Sequence, residues 1–205
     1  METVWPPVPP LWRGETVVVF ASGPSLTQEQ VDAVKGRCRT IAINLAYRLA
    51  PWADLLYACD VKWWEQYKPQ FAGIKVTQDA QVSRPDVRRV PSVNSPGLSL
   101  DPSRIHQGAN GGYQALGLAA LMGAKKVIFL GFDMKSTDAK KHFHADHPGG
   151  MSNPYDGLFQ QWIKNFETTK ADLQKMGVTV LNATPGSALT AFPLMDLQDA
   201  LEFEC

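Results

Sequence analysis

The sequence has no excess of either charge, since twenty Lys and Arg residues balance twenty Asp and Glu residues. A strongly basic chain would point to nucleic acid or an anionic membrane as its partner, and this balance gives no such signal. No apolar run approaches the roughly 20 residues that span a bilayer, so we expect no membrane span. The chain also lacks internal repeats and low-complexity tracts, which argues against a solenoid.

Cysteine is scarce as well. The three cysteines form no CxxC pair and are too few for a disulfide framework. This usage is typical of a reducing compartment. Residues 1–13 lack the basic and apolar regions of a secretory signal. We therefore expect a cytoplasmic location.

Apolar runs suited to buried strands alternate with segments of helical periodicity. Strands are predicted at 16–21, 40–44, 54–60, 73–77, 126–130 and 178–182, and helices at 27–35, 61–67, 111–122, 155–176 and 197–203. Between 78 and 107 only residues 90–93 resemble a strand. The alternation predicts an α/β protein with a Rossmann-like, doubly wound, mostly parallel sheet that has helices on both faces. We expect a single domain over residues 1–205. Residues 1–14 are expected to form an irregular arm that Trp5 and Trp12 attach to the rest of the domain. Residues 134–154 are expected to form a histidine-rich active-site loop.

The loop after the first strand is a candidate phosphate site. Ser22, Gly23, Pro24 and Ser25 join an apolar strand to a predicted helix, with Pro24 suited to the first helical turn. A tight turn between a parallel strand and a helix N-terminus directs free N–H groups and the helix dipole at one point, which favours an anion. An ordinary strand–helix turn without a ligand has the same appearance, and both interpretations are open at this stage.

Polar residues also close other predicted strands. Right-handed crossovers bring the carboxyl ends of parallel strands to one edge, so Asn44, Asp60 and Asp133 are expected to converge there with the first loop. An aspartate in this position can bind Mg²⁺, hold a ribose or act as a base, or it can simply cap a helix. Gly111 and Gly112 open the Ala-rich helix and suggest a second anion contact, or else close packing.

Three of the four histidines lie within one short segment, residues 142–147. His142, His144, Asp146 and His147 are candidate ligands for Zn²⁺ or Mn²⁺. The segment matches the metal signature of the metallo-β-lactamase superfamily, but no histidine follows His147, so we reject that fold. A histidine near the sheet edge is equally suited to proton transfer. His147, His144 and Asp133 are therefore the candidate catalytic residues.

Together these stretches resemble two related families: the bacterial lipooligosaccharide sialyltransferases, which use a CMP-sugar on a Rossmann-like fold, and the archaeal 6-hydroxymethyl-dihydropterin diphosphokinases. The likeness rests on the loop at 21–26, the Gly-x-Asp that ends at Asp133, and the turn at 182–189. It implies a nucleotide contact for Asn44 and a general-base role for His147 or His144. The loop at 141–154 also resembles small bacteriophage proteins, which would place the chain in the host cytoplasm.

We predict a transferase that binds a nucleotide-activated donor, a CMP-sugar or another nucleoside mono- or diphosphate sugar. It would transfer a glycosyl group to an acceptor hydroxyl on a glycan, a modified nucleotide or a nucleic acid, with a histidine as base. Three alternatives stay open: a Mg²⁺-dependent diphosphokinase using ATP, with Asp60 and Asp133 as ligands; a non-catalytic phage nucleotide-binding or structural protein; and a metal-dependent hydrolase built on the histidine segment with Mg²⁺, Mn²⁺ or Zn²⁺. Whether the chain forms homo-oligomers is also left open.

Overall fold

The computed structural model describes residues 4–148, 150–151 and 153–204. Within them the strands are β1 (Thr16–Phe20), β2 (Arg39–Ile43), β3 (Leu55–Tyr57), β4 (Ile74–Thr77), β5 (Val87–Arg89), β6 (Ser92–Val93), β7 (Ile105–His106), β8 (Lys126–Leu130) and β9 (Thr179–Asn182). The helices are α1 (Gln28–Val34), α2 (Val61–Tyr67), α3 (Gly111–Leu121), α4 (Asp156–Glu167), α5 (Lys170–Met176) and α6 (Leu197–Glu202), and Asn44–Arg48 forms a 3-10 turn.

Seven parallel strands form the main sheet in the order β5-β4-β3-β2-β1-β8-β9. Consecutive strands progress in one direction from β1 to β5, while β8 and β9 lie on the other side of β1. The strand order therefore reverses between β1 and β8. In open parallel sheets a ligand crevice forms outside the carboxyl ends of the strands at such a reversal.

Both faces of the sheet are covered, as the unbroken apolar runs predict. In β1, Val17 and Val19 pack into one core cluster with residues of α3, α4 and α5. Val18 and Phe20 face the other cluster, with residues of α1, α2 and α6. Burying each of these side chains contributes about 1.5–3 kcal/mol. The predicted doubly wound α/β fold is confirmed.

The N-terminal arm is attached at the two predicted tryptophans. The backbone N–H of Trp5 donates to the carbonyl of Arg89 at 2.7 Å, and Val4 bridges the same residue, so the arm covers part of the edge strand β5. Trp12 is buried, and its N–H donates to the carbonyl of Met122 at 2.9 Å. An edge strand protected in this way is less open to pairing with another chain.

The single long helix predicted at 155–176 is wrong, because the structure breaks it into α4 and α5. The hydroxyl of Thr168 donates to the carbonyl of Asn165, and that of Thr169 donates to the carbonyl of Phe166, both at 2.7 Å. Threonine side chains that bond to the backbone compete with the helical ladder. Thr168 also accepts the N–H of Gly97 at 2.9 Å, so the break anchors a distant loop.

Strand prediction between 78 and 107 is wrong in its details. The strand predicted at 90–93 is divided by Pro91, which lacks an N–H for a ladder. β5 ends before this proline, and β6 follows it and pairs in parallel with β7 as a separate two-stranded sheet. These short strands bring the chain back to the carboxyl edge of the main sheet just before α3.

Candidate functional site

A cavity of about 410 Å³ lies at the carboxyl edge of the sheet, at the reversal between β1 and β8. Its walls come from the segments that follow β1, β2, β3, β4 and β8, from the start of α3, from the histidine segment and from α4. Nine predicted site residues line it: Ser22, Gly23, Asn44, Asp60, Gly111, Gly112, Asp133, His142 and His147. The other four predicted site residues do not line the cavity: Pro24, Ser25, His144 and Asp146.

The structure gives Ser25 a partner within the protein. Its N–H and its hydroxyl donate to the two carboxylate oxygens of Asp133, at 3.1 and 2.9 Å. Burial raises the pKa of Asp133, and the bonds from Ser25 oppose that rise. In this arrangement neither Ser25 donor is free for a phosphate. The same bonds connect the loop after β1 to the loop after β8, between residues that are 108 positions apart in the sequence.

The start of α1 also differs from the prediction. Thr27 is the N-cap, and it forms a capping box with Gln30 in which each side chain bonds the other residue's backbone N–H. Pro24 and Ser25 therefore precede the helix instead of opening it. A threonine hydroxyl and a glutamine three residues later form this motif readily, and they satisfy donors that an anion would otherwise use.

The start of α3 retains free backbone donors at the cavity. Asn110 is the N-cap, and its side-chain oxygen accepts the N–H of Tyr113 at 3.0 Å. Among the described residues, the N–H groups of Gly111 and Gly112 have no hydrogen-bond partner, as expected for the first turn of a helix. A side chain at Gly112 would lie 2.5 Å from the ring of Phe132, so close packing also requires this glycine.

Asp60 occupies the N-cap position of α2 but does not cap the helix. The N–H of Val61 donates instead to Asp79 at 2.9 Å. The Asp60 carboxylate is exposed at the cavity, and among the described residues its one hydrogen-bond partner is the thiol of Cys59, at 3.6 Å. Its oxygens are thus available to a ligand. Asn44 lies at the end of β2 with a positive φ of 49°, a conformation that asparagine tolerates better than most residues.

The histidine segment packs against the ends of β1 and α2. The N–H of Phe143 donates to the carbonyl of Ser22 at 3.0 Å, and the hydroxyl of Tyr67 lies 2.7 Å from Nδ1 of His147. The three imidazole rings lie together: the centroid of His144 is 4.7 Å from that of His142 and 5.1 Å from that of His147. The segment therefore forms one wall of the cavity.

The predicted metal site has no support in this geometry. Over residues 4–148, 150–151 and 153–204, no group of three or more His, Cys, Asp or Glu side chains is arranged to hold a metal ion. The rings of His142 and His144 are stacked nearly parallel, with an interplanar angle of 7°. Rings stacked face to face do not both point a nitrogen at one common centre, as metal ligands do.

The packed imidazoles predict a loss of stability on acidification. Burial, followed by the neighbouring His144 and His147, lowers the pKa of His142 from 6.5 to about 4. Between these values the unfolded chain binds a proton that the folded chain does not, so stability falls as the pH drops from 6.5 towards 4. We expect the melting temperature, followed from pH 7.5 to 4.5, to decline in this window and His142→Gln to flatten the decline.

The matched control for this pH experiment is His106→Gln. The His106 ring lies away from the cluster, with Nδ1 2.9 Å from the carbonyl of Gly97. This variant leaves the three clustered imidazoles in place, so it should keep the decline on acidification even if its overall stability changes. A decline of equal steepness in His142→Gln would contradict the role given to the imidazole cluster.

Sequence reasoning missed several cavity residues. Lys135 and Lys141 line it, and neither forms an ion pair within the part of the chain that the structure describes. Gln78 also lines the cavity. Like Asp60, it is a polar residue close to the carboxyl end of a parallel strand, here β4. Trp162 of α4 lines the cavity too, with an indole N–H that is buried and has no partner among described residues. Unpaired lysines beside a cavity favour an anionic ligand.

The tryptophans after Asp60 belong to the core. Trp63 and Trp64 are both buried, and their rings pack edge to face with centroids 5.1 Å apart. Tyr67 of the same helix lies against the histidine segment, with its ring centroid 5.7 Å from that of His147. The burial of the two tryptophans makes core packing their role.

No family model matches the chain, and no curated protein matches it significantly. Among solved structures, it is similar to the sialyltransferase CstII from Campylobacter jejuni, determined in complex with the substrate analogue cytidine-5′-monophosphate. The TM-score is 0.58 at 12% identity, and the match covers 89% of this chain and 85% of that one. This likeness establishes a shared fold. Among the described residues, no helix is long and apolar enough to cross a membrane.

Proposed function

We propose that the chain is a glycosyltransferase-like enzyme that binds a nucleotide-activated sugar in the cavity between the ends of β1 and β8. The observation that carries this proposal is the convergence of unpaired cationic and backbone donors there. Lys135, Lys141 and the free N–H groups of Gly111 and Gly112 all border one cavity of about 410 Å³. Such donors suit the phosphate of a nucleotide.

The remaining walls suit the other parts of such a donor. Asn44 offers a side-chain amide, which can both donate and accept hydrogen bonds with a nucleobase or a sugar. The amides of Gln78 and Gln107 bond to Ser92 within the protein and shape this wall. Phe159 and Trp162 form an apolar wall that suits the face of a ring. The volume lies within the range of small-molecule sites.

The proposed reaction forms a bond between an acceptor hydroxyl oxygen and the anomeric carbon of the sugar, and it breaks the bond from that carbon to a phosphate oxygen. The hydroxyl proton passes to a base of the protein. The nucleotide leaves as an anion whose charge Lys135 and Lys141 offset. His147 and Asp60 are the candidate bases: both line the cavity, whereas both oxygens of Asp133 accept bonds from Ser25 and Nε2 of His142 is buried. His144, the other predicted base, is not part of the lining.

The similarity to a sialyltransferase determined with cytidine-5′-monophosphate supports the proposal and makes that nucleotide the first to test. The diphosphokinase alternative is less well supported, because both oxygens of Asp133 already accept bonds from Ser25. A metal-dependent hydrolase lacks a converging ligand set among the described residues. We therefore favour transfer from a nucleotide-sugar.

The test is a thermal-shift panel of CMP, CDP, UDP, GDP, ADP and ATP, with and without Mg²⁺ or Mn²⁺, followed by assays for nucleotide release from the matching nucleotide-sugars. A ligand at 100 times its Kd adds about 2.7 kcal/mol to stability. We expect at least one nucleotide to raise the melting temperature and its sugar conjugate to release nucleotide. Binding without any turnover would instead indicate a non-catalytic nucleotide-binding protein.

A further inference from the structure

We propose that His144 and His147 hold opposite neutral tautomers, so that His147 presents an N–H donor to the cavity and Asp60 is the base. The assignment of the base deepens the function proposed above and rests on it. The tautomers themselves follow from hydrogen bonds of the protein alone.

His147 has its Nδ1 2.7 Å from the hydroxyl of Tyr67. A phenol is a better hydrogen-bond donor than a neutral imidazole N–H, and an imidazole nitrogen is a better acceptor than a phenol oxygen. In the neutral pair the hydroxyl of Tyr67 therefore donates and Nδ1 of His147 accepts. The ring proton of His147 then lies on Nε2.

His144 has the opposite arrangement. Its Nδ1 lies 2.6 Å from the carbonyl oxygen of Ala145. A carbonyl can only accept, so Nδ1 of His144 carries the proton and Nε2 carries the lone pair. This Nε2 is buried without a partner among the described residues, and His144 is absent from the cavity lining. It is therefore badly placed to take a proton from a ligand.

The ring of His147 is held in place before any ligand arrives. The backbone N–H of His147 donates to the side-chain oxygen of Asn153 at 2.9 Å. The side-chain amide of Asn153 donates in return to the backbone carbonyl of His147 at 3.3 Å. Tyr67 is fixed in turn by Trp63, with ring centroids 5.4 Å apart, and by the guanidinium of Arg48, 5.5 Å from its ring. Tyr67 is thus a positioning residue that acts through His147.

The consequence for chemistry is a division of roles. Nε2 of His147 has no partner among the described residues, and its N–H can donate to a phosphate oxygen of the departing nucleotide. A nitrogen that carries its proton cannot accept the proton of the acceptor hydroxyl. Asp133 is engaged by Ser25, so Asp60 is the carboxylate at the wall with oxygens available for that proton.

The test is a two-bond ¹H–¹⁵N correlation spectrum of the histidine side chains in the ligand-free protein at about pH 7.5, assigned with single His→Gln variants. We expect His147 as the Nε2–H tautomer and His144 as the Nδ1–H tautomer. Tyr67→Phe should shift the Nδ1 resonance of His147 and leave that of His144 in place. Tyr47→Phe is the control, since Tyr47 packs on the same Trp63 with ring centroids 6.1 Å apart.

A proton on Nδ1 of His147 in the wild type, or an unchanged spectrum in Tyr67→Phe, would overturn the proposal. These readouts need no ligand, so they stand even if no nucleotide binds. Where nucleotide release is detected, Asp60→Asn should lower kcat by a factor of about 100 or more with little change in KM. Full activity in Asp60→Asn would refute the role of Asp60 as the base. The tautomers would still be decided independently by the spectrum.

Discussion

Replacing Gly23 by alanine is expected to lower the melting temperature by about 6–12 °C, which corresponds to about 3 kcal/mol in a chain of this size. The added methyl carbon would lie 1.9 Å from a carboxylate oxygen of Asp133 and 2.3 Å from the carbonyl oxygen of Gly131. The carboxylate of Asp133 is fixed by two bonds from Ser25, one to each oxygen. The carbonyl of Gly131 directly follows β8 and accepts the N–H of Gly23 at 2.9 Å. The ends of β1 and β8 must therefore separate.

Gly117→Ala is the matched control for this substitution. Gly117 lies in the middle of α3, where the nearest atom that an added methyl would meet is a side-chain carbon of Leu98 at 3.6 Å, an ordinary contact. Alanine is the better helix former, so we expect about 0.5–1 kcal/mol of added stability. Differential scanning fluorimetry of both variants measures the difference. Equal melting temperatures would contradict the close approach at Gly23.

Lys126→Met is expected to destabilise the protein by about 2–3 kcal/mol, or about 4–12 °C. Lys126 begins β8 and is only 5% exposed. Its ammonium donates to the carbonyls of Ala200, Leu201 and Phe203 at 2.9, 3.1 and 2.6 Å. These carbonyls belong to the end of α6, where the helix itself supplies no donors. Methionine keeps an apolar chain of similar length but leaves them unsatisfied.

The control for Lys126→Met is Lys164→Met on the exposed face of α4. Among the described residues the ammonium of Lys164 forms no ion pair. Replacing such an exposed lysine should change stability by less than about 0.5 kcal/mol. Limited proteolysis adds a second readout, because α6 should become accessible to cleavage only in Lys126→Met. A wild-type melting temperature in Lys126→Met would contradict this prediction. It would show that water satisfies the three carbonyls without loss of stability.

The topology could be predicted because it depends on patterns that each segment contains by itself. Apolar runs such as 17–20 and 127–130 suit strands buried on both faces. Parallel crossovers then place every strand's carboxyl end on one edge, so the convergence of Asn44, Asp60 and Asp133 followed without any contact being known. The structure places all three at one cavity.

What could not be predicted depends on partners distant in the sequence. Nothing near Ser25 indicates that Asp133, 108 positions later, takes both of its donors. Similarly, Asp60 was expected to cap α2 or to bind a ligand, and the choice depends on Asp79, which takes over the cap. Lys135 and Lys141 were overlooked because lysines in a polar loop are usually solvated, and only the fold turns them towards a cavity.

The most direct measurement of the central claim is calorimetric titration of CMP, or of the nucleotide with the largest thermal shift, into the wild type and a Lys135→Gln/Lys141→Gln double variant. Both lysines line the cavity. We predict saturable one-to-one binding that weakens at least about fivefold in the double variant, roughly 1 kcal/mol, and stays unchanged in Lys164→Gln. Absence of binding by every nucleotide in the panel, or equal affinity in the double variant, would contradict the account.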